Sequence, residues 1–150
     1  MSVYLSKEQE LYRAVMNALI NSPVYLIADG KVFDKQPTDI NYDDRGNTIP
    51  EITYVVVGES RTNPQYQSNQ HVEEIVLTMH LYHRNNNNKA LVVDETRGFL
   101  SLISYYAQKV EIADSYRLDK TRVELQQVIT DLDGETMHGI LQIRYTIKHK

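Results

Sequence analysis

Histidine is the side chain in this protein best suited to acid–base chemistry near neutral pH, and the sequence contains five: His71, His80, His83, His138 and His149. His80 and His83 are three residues apart in a segment with strand-like alternation, so we expect them on opposite faces of a strand, where they cannot share a metal ion. No His-Glu-x-x-His, Walker or Gly-x-Gly-x-x-Gly motif occurs in the sequence. We therefore interpret the five histidines as structural or surface residues.

Three acidic residues, Asp131, Asp133 and Glu135, surround Gly134 and could suggest a calcium site. An EF-hand loop needs glycine at its sixth position and a closing glutamate at its twelfth, and this segment has neither. Aspartate and glycine both suit a tight hairpin turn, so the turn is the favoured interpretation. The acidic side chains remain candidates for contact with a basic partner.

Three further residues are candidate partner contacts: Arg61, Tyr66 and Arg84. Tyr66 lies in a polar segment, and tyrosine is enriched at protein interfaces; contact and ordinary exposure are equally compatible with the sequence. Arg61 and Arg84 are interpreted as solvated charges, with salt bridges to a partner as the alternative.

Composition and charge argue against several classes of function. The chain has 150 residues, enough for a single domain with its own core, and a formal net charge of -4. Because nucleic-acid binders usually carry a clustered basic surplus, the acidic balance and scattered basic residues argue against sequence-specific nucleic-acid binding. The absence of cysteine excludes disulfides, thiolate nucleophiles and thiolate zinc sites, and we predict no cofactor. We find neither a signal peptide nor an apolar run of membrane-spanning length, and expect a soluble protein.

Hydrophobic periodicity predicts two main helices and four strands. Helices are predicted over residues 6–19 and 89–110, and strands over residues 52–58, 72–83, 122–130 and 136–148. Residues 34–50 and 59–70 are rich in polar residues and turn formers, which indicates long connections. The predicted fold is an α+β domain over residues 1–150: a four-stranded antiparallel sheet with two main helices packed on one face and long inter-strand loops.

Four segments, taken in order along the chain, carry a family resemblance. They are the first helix followed by Gly30–Asp34, the run Ile49–Glu59 with its Tyr54-Val55-x-x-Gly58 pattern, the strand end Leu81–Arg84, and the closing Asp131–Gly139. Together they resemble the tail terminator, or tail completion, proteins of siphophages, also called tail-to-head joining proteins. The resemblance extends from about Glu8 to Ile147.

The resemblance implies a structural virion protein. Proteins of this family form a hexameric ring on the last ring of the tail tube, stop its polymerisation and offer a surface to head-completion proteins. The implied partners are further copies of the chain, the tail tube protein and the head-completion or connector protein. DNA would pass through the lumen without specific binding, and the implied location is the virion tail after assembly in the bacterial cytoplasm. The candidate interface residues are Arg61, Tyr66, Arg84, Asp131, Asp133 and Glu135.

Two other classes of function remain as alternatives. A generic small protein-binding module without a virion role would share the same surface chemistry. A small enzyme would need a cluster of titratable groups with perturbed pKa values, and the sequence offers scattered histidines and acids instead. We therefore expect a protein that is not an enzyme.

Overall fold

The computed structural model describes residues 6–67, 70–112 and 116–149, apart from the side chains of residues 63–71 and 149. The helices are α1 (Lys7–Ile20), α2 (Pro23–Ile27) and α3 (Val92–Ala107), the last preceded by a 3-10 turn at Lys89–Leu91. The strands are β1 (Val32–Phe33), β2 (Glu51–Gln67), β3 (Gln70–Asn85), β4 (Tyr116–Thr130) and β5 (Met137–His149). None of the helices in these ranges is long and apolar enough to cross a membrane.

The fold is α+β, as predicted, but the sheet is not the four-stranded antiparallel sheet expected from the sequence. It has five strands in the order β1-β2-β3-β5-β4. The additional strand, β1, pairs in parallel with β2 through Val32 opposite Val55 and Phe33 opposite Val56, which makes the sheet mixed. A strand of two residues has no periodicity, so its sequence cannot distinguish it from a loop.

The first helix forms as the sequence indicates. The Ser6 hydroxyl accepts a hydrogen bond from the backbone amide of Gln9, and the Gln9 side chain accepts one from the backbone amide of Ser6, which together form a capping box. The helix α1 ends at Ile20, and Pro23 then begins the short helix α2 after the cap residue Ser22. Proline is well tolerated in the first turn of a helix, where its missing amide hydrogen has no partner to lose.

The prediction of a connection over residues 59–70 is wrong, because β2 and β3 continue through it as a hairpin. After a bulge between Val57 and Ser60, the strands pair again from Ser60 opposite Leu77 to Gln67 opposite Gln70. Pro64 is tolerated because β1 covers β2 only near Val55, so this part of β2 is a sheet edge. By contrast, residues 34–50 contain only an isolated bridge, between Tyr42 and Thr48, and are the predicted long connection.

The main core lies between the helices and one face of the sheet. It includes alternate residues of β3 and β5, among them Ile75, Leu77, Met79 and Leu81 of β3, as the alternating pattern of this segment indicates. Tyr145 of β5 is fully buried there, and its hydroxyl donates a 2.6 Å hydrogen bond to the carbonyl of Ala107 at the end of α3. A smaller cluster on the opposite face forms where the connection folds over Ile52, Tyr54 and Val56.

Candidate interaction site

The turn between β4 and β5 is held in one conformation by the side chain of Asp133. Its Oδ1 accepts hydrogen bonds from the backbone amides of Glu135 and Thr136, at 2.9 and 2.7 Å, and its Oδ2 accepts one from the Thr136 hydroxyl. Gly134 adopts a φ of +74°, which glycine reaches without strain. The predicted Asp-Gly turn is therefore confirmed.

Arg84 lies buried beneath this turn and contacts its side chains. Its side chain is 2% exposed, its Nε donates a 2.9 Å hydrogen bond to the carbonyl of Ile49, and its Nη1 lies 3.3 Å from the Thr136 hydroxyl and 3.6 Å from Asp133 Oδ2. The interpretation of Arg84 as a solvated charge is wrong. The sequence could not reveal this, because the groups that cover Arg84 come from segments 35 and 52 residues away along the chain.

The Asp133 carboxylate is electrostatically stabilised. Partial burial acts to raise its pKa, but the hydrogen bonds from Thr136 and Glu135 and the charge of Arg84 outweigh burial and hold the pKa below its ordinary value. The turn therefore presents a negative charge over the whole physiological pH range. Glu135 adds a second carboxylate, 3.9 Å from Lys89 and itself 44% exposed.

Leu132, at the tip of the same turn, is as exposed as in an extended peptide, at 103% relative accessibility. It lies between two carboxylates and makes no contribution to either hydrophobic cluster. Ile129, three residues earlier on β4, is 44% exposed. Leu132 was not among the residues that the sequence singled out. The signal that could have identified it is an apolar residue within an Asp-x-Asp-Gly turn.

A row of rings crosses the sheet face opposite the helices. Tyr54 stacks on Tyr82 at 4.7 Å between centroids, Tyr82 stacks on His138 at 4.4 Å, and His138 Nε2 lies 2.8 Å from His80 Nδ1. Burial, and secondly the charge of His80, hold the pKa of His138 below its ordinary value. Glu59, at 3.3 Å from His80 Nε2, completes the row.

His83 points to the other face, as predicted from its spacing to His80. Its ring packs edge-on against Phe99 of α3, and its Nε2 lies 3.2 Å from a Glu95 oxygen. Among the residues that the structure describes, no group of three or more histidines and carboxylates is arranged to hold a metal ion.

The predicted interface residues do not form a single cluster. Asp131, Asp133 and Glu135 share the β4–β5 turn, and Arg84 lies beneath it. Arg61 is exposed on β2 opposite Val76, eight residues along β3 from Arg84, a separation of about 26 Å at the usual rise of a strand. Tyr66 is in the same part of β2, and its side chain lies outside the described residues. Whether any of the six contacts a partner stays a prediction.

Comparison with known proteins gives two informative similarities. No family model matches the chain. Over 96 residues, 64% of this chain and 68% of the relative, the sequence is 29% identical to the tail completion protein gp17 of Bacillus phage SPP1. The predicted resemblance to phage tail completion proteins is confirmed. A chain of the virion of a native gene transfer agent particle has the same fold, with a TM-score of 0.64, 14% identity and coverage of 92% of this chain and 94% of that one.

Three of the four segments that carry the resemblance to tail completion proteins meet at Arg84. The guanidinium of Arg84 binds the carbonyl of Ile49, where the second segment begins, and the hydroxyl of Thr136 in the last. Segments that are far apart in the sequence therefore join around one buried side chain. This junction fixes the base of the exposed turn that carries Leu132.

Proposed function

We propose that this protein is a structural component of a phage-type virion, located at the head-proximal end of the tail. The observation that carries the proposal is the 29% identity over 96 residues to a tail completion protein. The shared fold with a chain of a gene transfer agent virion is compatible with it. The proposed role needs no catalytic group, and we propose that the protein is not an enzyme.

The proposed mechanism is steric. Copies of the chain associate head to tail into a ring, a hexamer in the family that it resembles, and the ring covers the growing end of the tail tube. A heterologous interface closes into a ring when the rotation between neighbouring copies divides a full turn. Once the end is covered, no further tube subunit can add, and the outer surface of the ring receives the head-completion protein.

The electrostatics suit a channel through which DNA passes without being bound. The formal net charge is -4, and two basic side chains of β5 are paired with carboxylates: Arg144 with Glu74 and Glu124, and Lys148 with Asp119. Pairing reduces the unbalanced positive charge that would retain phosphate. We propose that the protein acts in the virion after assembly in the bacterial cytoplasm.

Electron microscopy of particles made without this gene tests the proposal. We expect filled heads separate from unjoined tails, with some tails longer than normal, and we expect the wild-type gene supplied in trans to restore joined particles of uniform tail length. Intact particles with normal tails in the absence of the gene would contradict the proposal. A generic protein-binding module without a virion role would then be the better interpretation.

A further inference from the structure

We propose that the acidic tip of one copy, residues 131–135 with the exposed Leu132, docks into the groove between α1 and β1 of a second copy. The inference rests on the proposed function, because it names the contact through which the ring closes. It follows from the exposure of Leu132, from the chemistry of the groove and from the positions of both on the sheet.

The tip has the properties of a preformed contact. The side chain of Leu132 is completely exposed, while the backbone around it is fixed by the hydrogen bonds of Asp133 and by the buried Arg84 beneath. A contact residue on a rigid turn loses little conformational entropy on binding. The exposed leucine contributes no packing to its own chain, so burial against another surface would remove apolar area from water at no cost to the fold.

The groove offers an apolar floor and an exposed cation. It lies between α1 and the end of β1, is lined by Tyr12, Met16, Val32 and Phe33, and has a volume of about 520 Å³, larger than a leucine side chain. Arg13 stands at its rim; it is exposed and, within the described part of the chain, pairs with no carboxylate.

The charges of the tip and the groove are complementary. Asp131 flanks Leu132 and, among the described residues, forms no ion pair, so it is available to Arg13 of the second copy. The groove also contains Asp34, which would disfavour an acidic tip placed at that end. The preferred arrangement therefore puts Asp131 towards Arg13 and away from Asp34.

The two surfaces lie on opposite edges of the sheet. The groove adjoins β1 and the tip joins β5 to β4, while the strand order is β1-β2-β3-β5-β4. The tip is three to four strand spacings from β1, about 14–19 Å, so it cannot fill the groove of its own chain. A contact between unlike surfaces repeats from copy to copy, which is the geometry that a ring requires.

Direct pairing through the long edge strand β4 is another way in which copies could associate, and the structure disfavours it. The long edge strand β4 is interrupted by bulges between Leu118 and Lys120 and between Val123 and Leu125. At these bulges Asp119 and Glu124 form ion pairs with Lys148 and Arg144 of β5. Bulges and charges on an edge strand prevent a second strand from adding.

Disulfide trapping in assembled particles tests the contact. The chain has no cysteine, so an introduced pair reports on that pair alone. We would replace the gene with a Leu132→Cys, Met16→Cys variant, purify particles, oxidise them and separate the proteins without reductant. We expect a ladder of linked copies up to the ring, whereas either single variant, with one thiol per copy, can link two copies at most. Leu132→Cys with Tyr105→Cys, which is half-exposed on α3 outside the groove, is the control pair and should give no ladder.

A charge exchange provides an independent measurement. We expect Asp131→Arg or Arg13→Glu alone to lower the yield of joined particles about tenfold, and the two together to restore it. Circular dichroism of each purified variant checks that it folds.

The outcomes separate the two proposals. One result that overturns the inference is a double-cysteine variant that is present in joined particles but forms no ladder. Another is a disulfide between the cysteine introduced at position 132 and a different virion protein. In both cases the tip does not dock on a second copy, while the proposed function stands. If the wild-type protein is absent from purified particles, the proposed function fails and the inference fails with it.

Discussion

Arg84 connects three segments of the chain through one buried side chain, and its replacement by methionine measures that connection. Arg84→Met keeps most of the aliphatic volume and removes the hydrogen bonds to Ile49 and Thr136, together with a longer one, 3.4 Å, to the carbonyl of Asn41. Hydrogen bonds from charged donors contribute about 1.5–3 kcal/mol each, and the second bond is long. Burial of an apolar side chain in place of a charge offsets part of the loss. We expect a loss of about 3 kcal/mol in the free energy of unfolding, equivalent to a decrease in Tm of about 6–12 °C at this chain length.

The ion pair between Arg84 and Asp133 should contribute little of the stability that Arg84→Met removes. The two groups are 3.6 Å apart and the Asp133 side chain is 40% exposed, so solvent screens their attraction. Asp133→Asn retains an oxygen that accepts the two backbone hydrogen bonds, and we expect it to cost about 1 kcal/mol. In a double-mutant cycle, the coupling energy between Arg84 and Asp133 should be below about 1 kcal/mol.

Urea unfolding followed by circular dichroism measures these free energies. The matched control is Arg61→Met, which removes an exposed arginine from the neighbouring strand and should change stability by less than about 0.5 kcal/mol. A loss below about 1 kcal/mol for Arg84→Met would refute the assignment of Arg84 as the anchor of the turn. A coupling energy of several kcal/mol would instead show that the ion pair, rather than the neutral acceptors, holds the turn.

Three further measurements test the main core and the row of tyrosine and histidine side chains on the opposite sheet face. Gly139→Ala would place a Cβ 3.2 Å from a Leu100 methyl and 3.3 Å from the Leu81 Cβ, and we expect it to lower the free energy of unfolding by about 1–3 kcal/mol; an unchanged urea midpoint would show that these neighbours give way freely. Tyr145→Phe leaves the buried carbonyl of Ala107 without its hydrogen bond and should cost about 1–2 kcal/mol in the same assay, whereas no cost would mean that water replaces the hydroxyl. Because the pKa of His138 is lowered in the folded state, the unfolded chain binds this proton more readily, so its contribution is present above the unfolded pKa and is lost as pH falls through and below 6.5. The decrease in Tm on acidification should therefore be smaller in His138→Gln; an equal decrease would exclude His138 as a cause.

Regular amphipathic segments could be predicted from the sequence. In α1 the stripe Leu11, Val15 and Leu19 is fully buried, and the capping box at Ser6 begins the helix as expected. In β5 strict alternation indicated the inward face correctly. These predictions succeed because the period of the pattern and the signals at its ends depend only on local sequence.

Features that depend on distant residues could not be predicted. The β2–β3 hairpin continues through polar residues because each strand supplies the other's hydrogen bonds, which no local pattern records. Arg84 is buried because residues 34–50 and the β4–β5 turn close over it. The exposure of Leu132 follows from the turn geometry, and a leucine in a sequence is normally interpreted as core.

The proposed docking contact has a magnitude that limits how the ring can form. Burial of one leucine contributes about 1.5–3 kcal/mol, and one charge pair at a rim contributes about 0.2–1 kcal/mol. Association of two proteins costs at least about 4 kcal/mol in lost translational and rotational freedom. The contact of Leu132 and Asp131 alone is therefore too weak to hold two free copies together. A ring needs either a wider interface around this contact or a surface that gathers the copies. Closure of the ring adds one further contact between copies that are already bound, so that contact requires no additional association. Under the proposed function, the end of a tail tube would supply such a surface. On these magnitudes we expect the ring to assemble on the tube, with the tip setting the register between neighbouring copies.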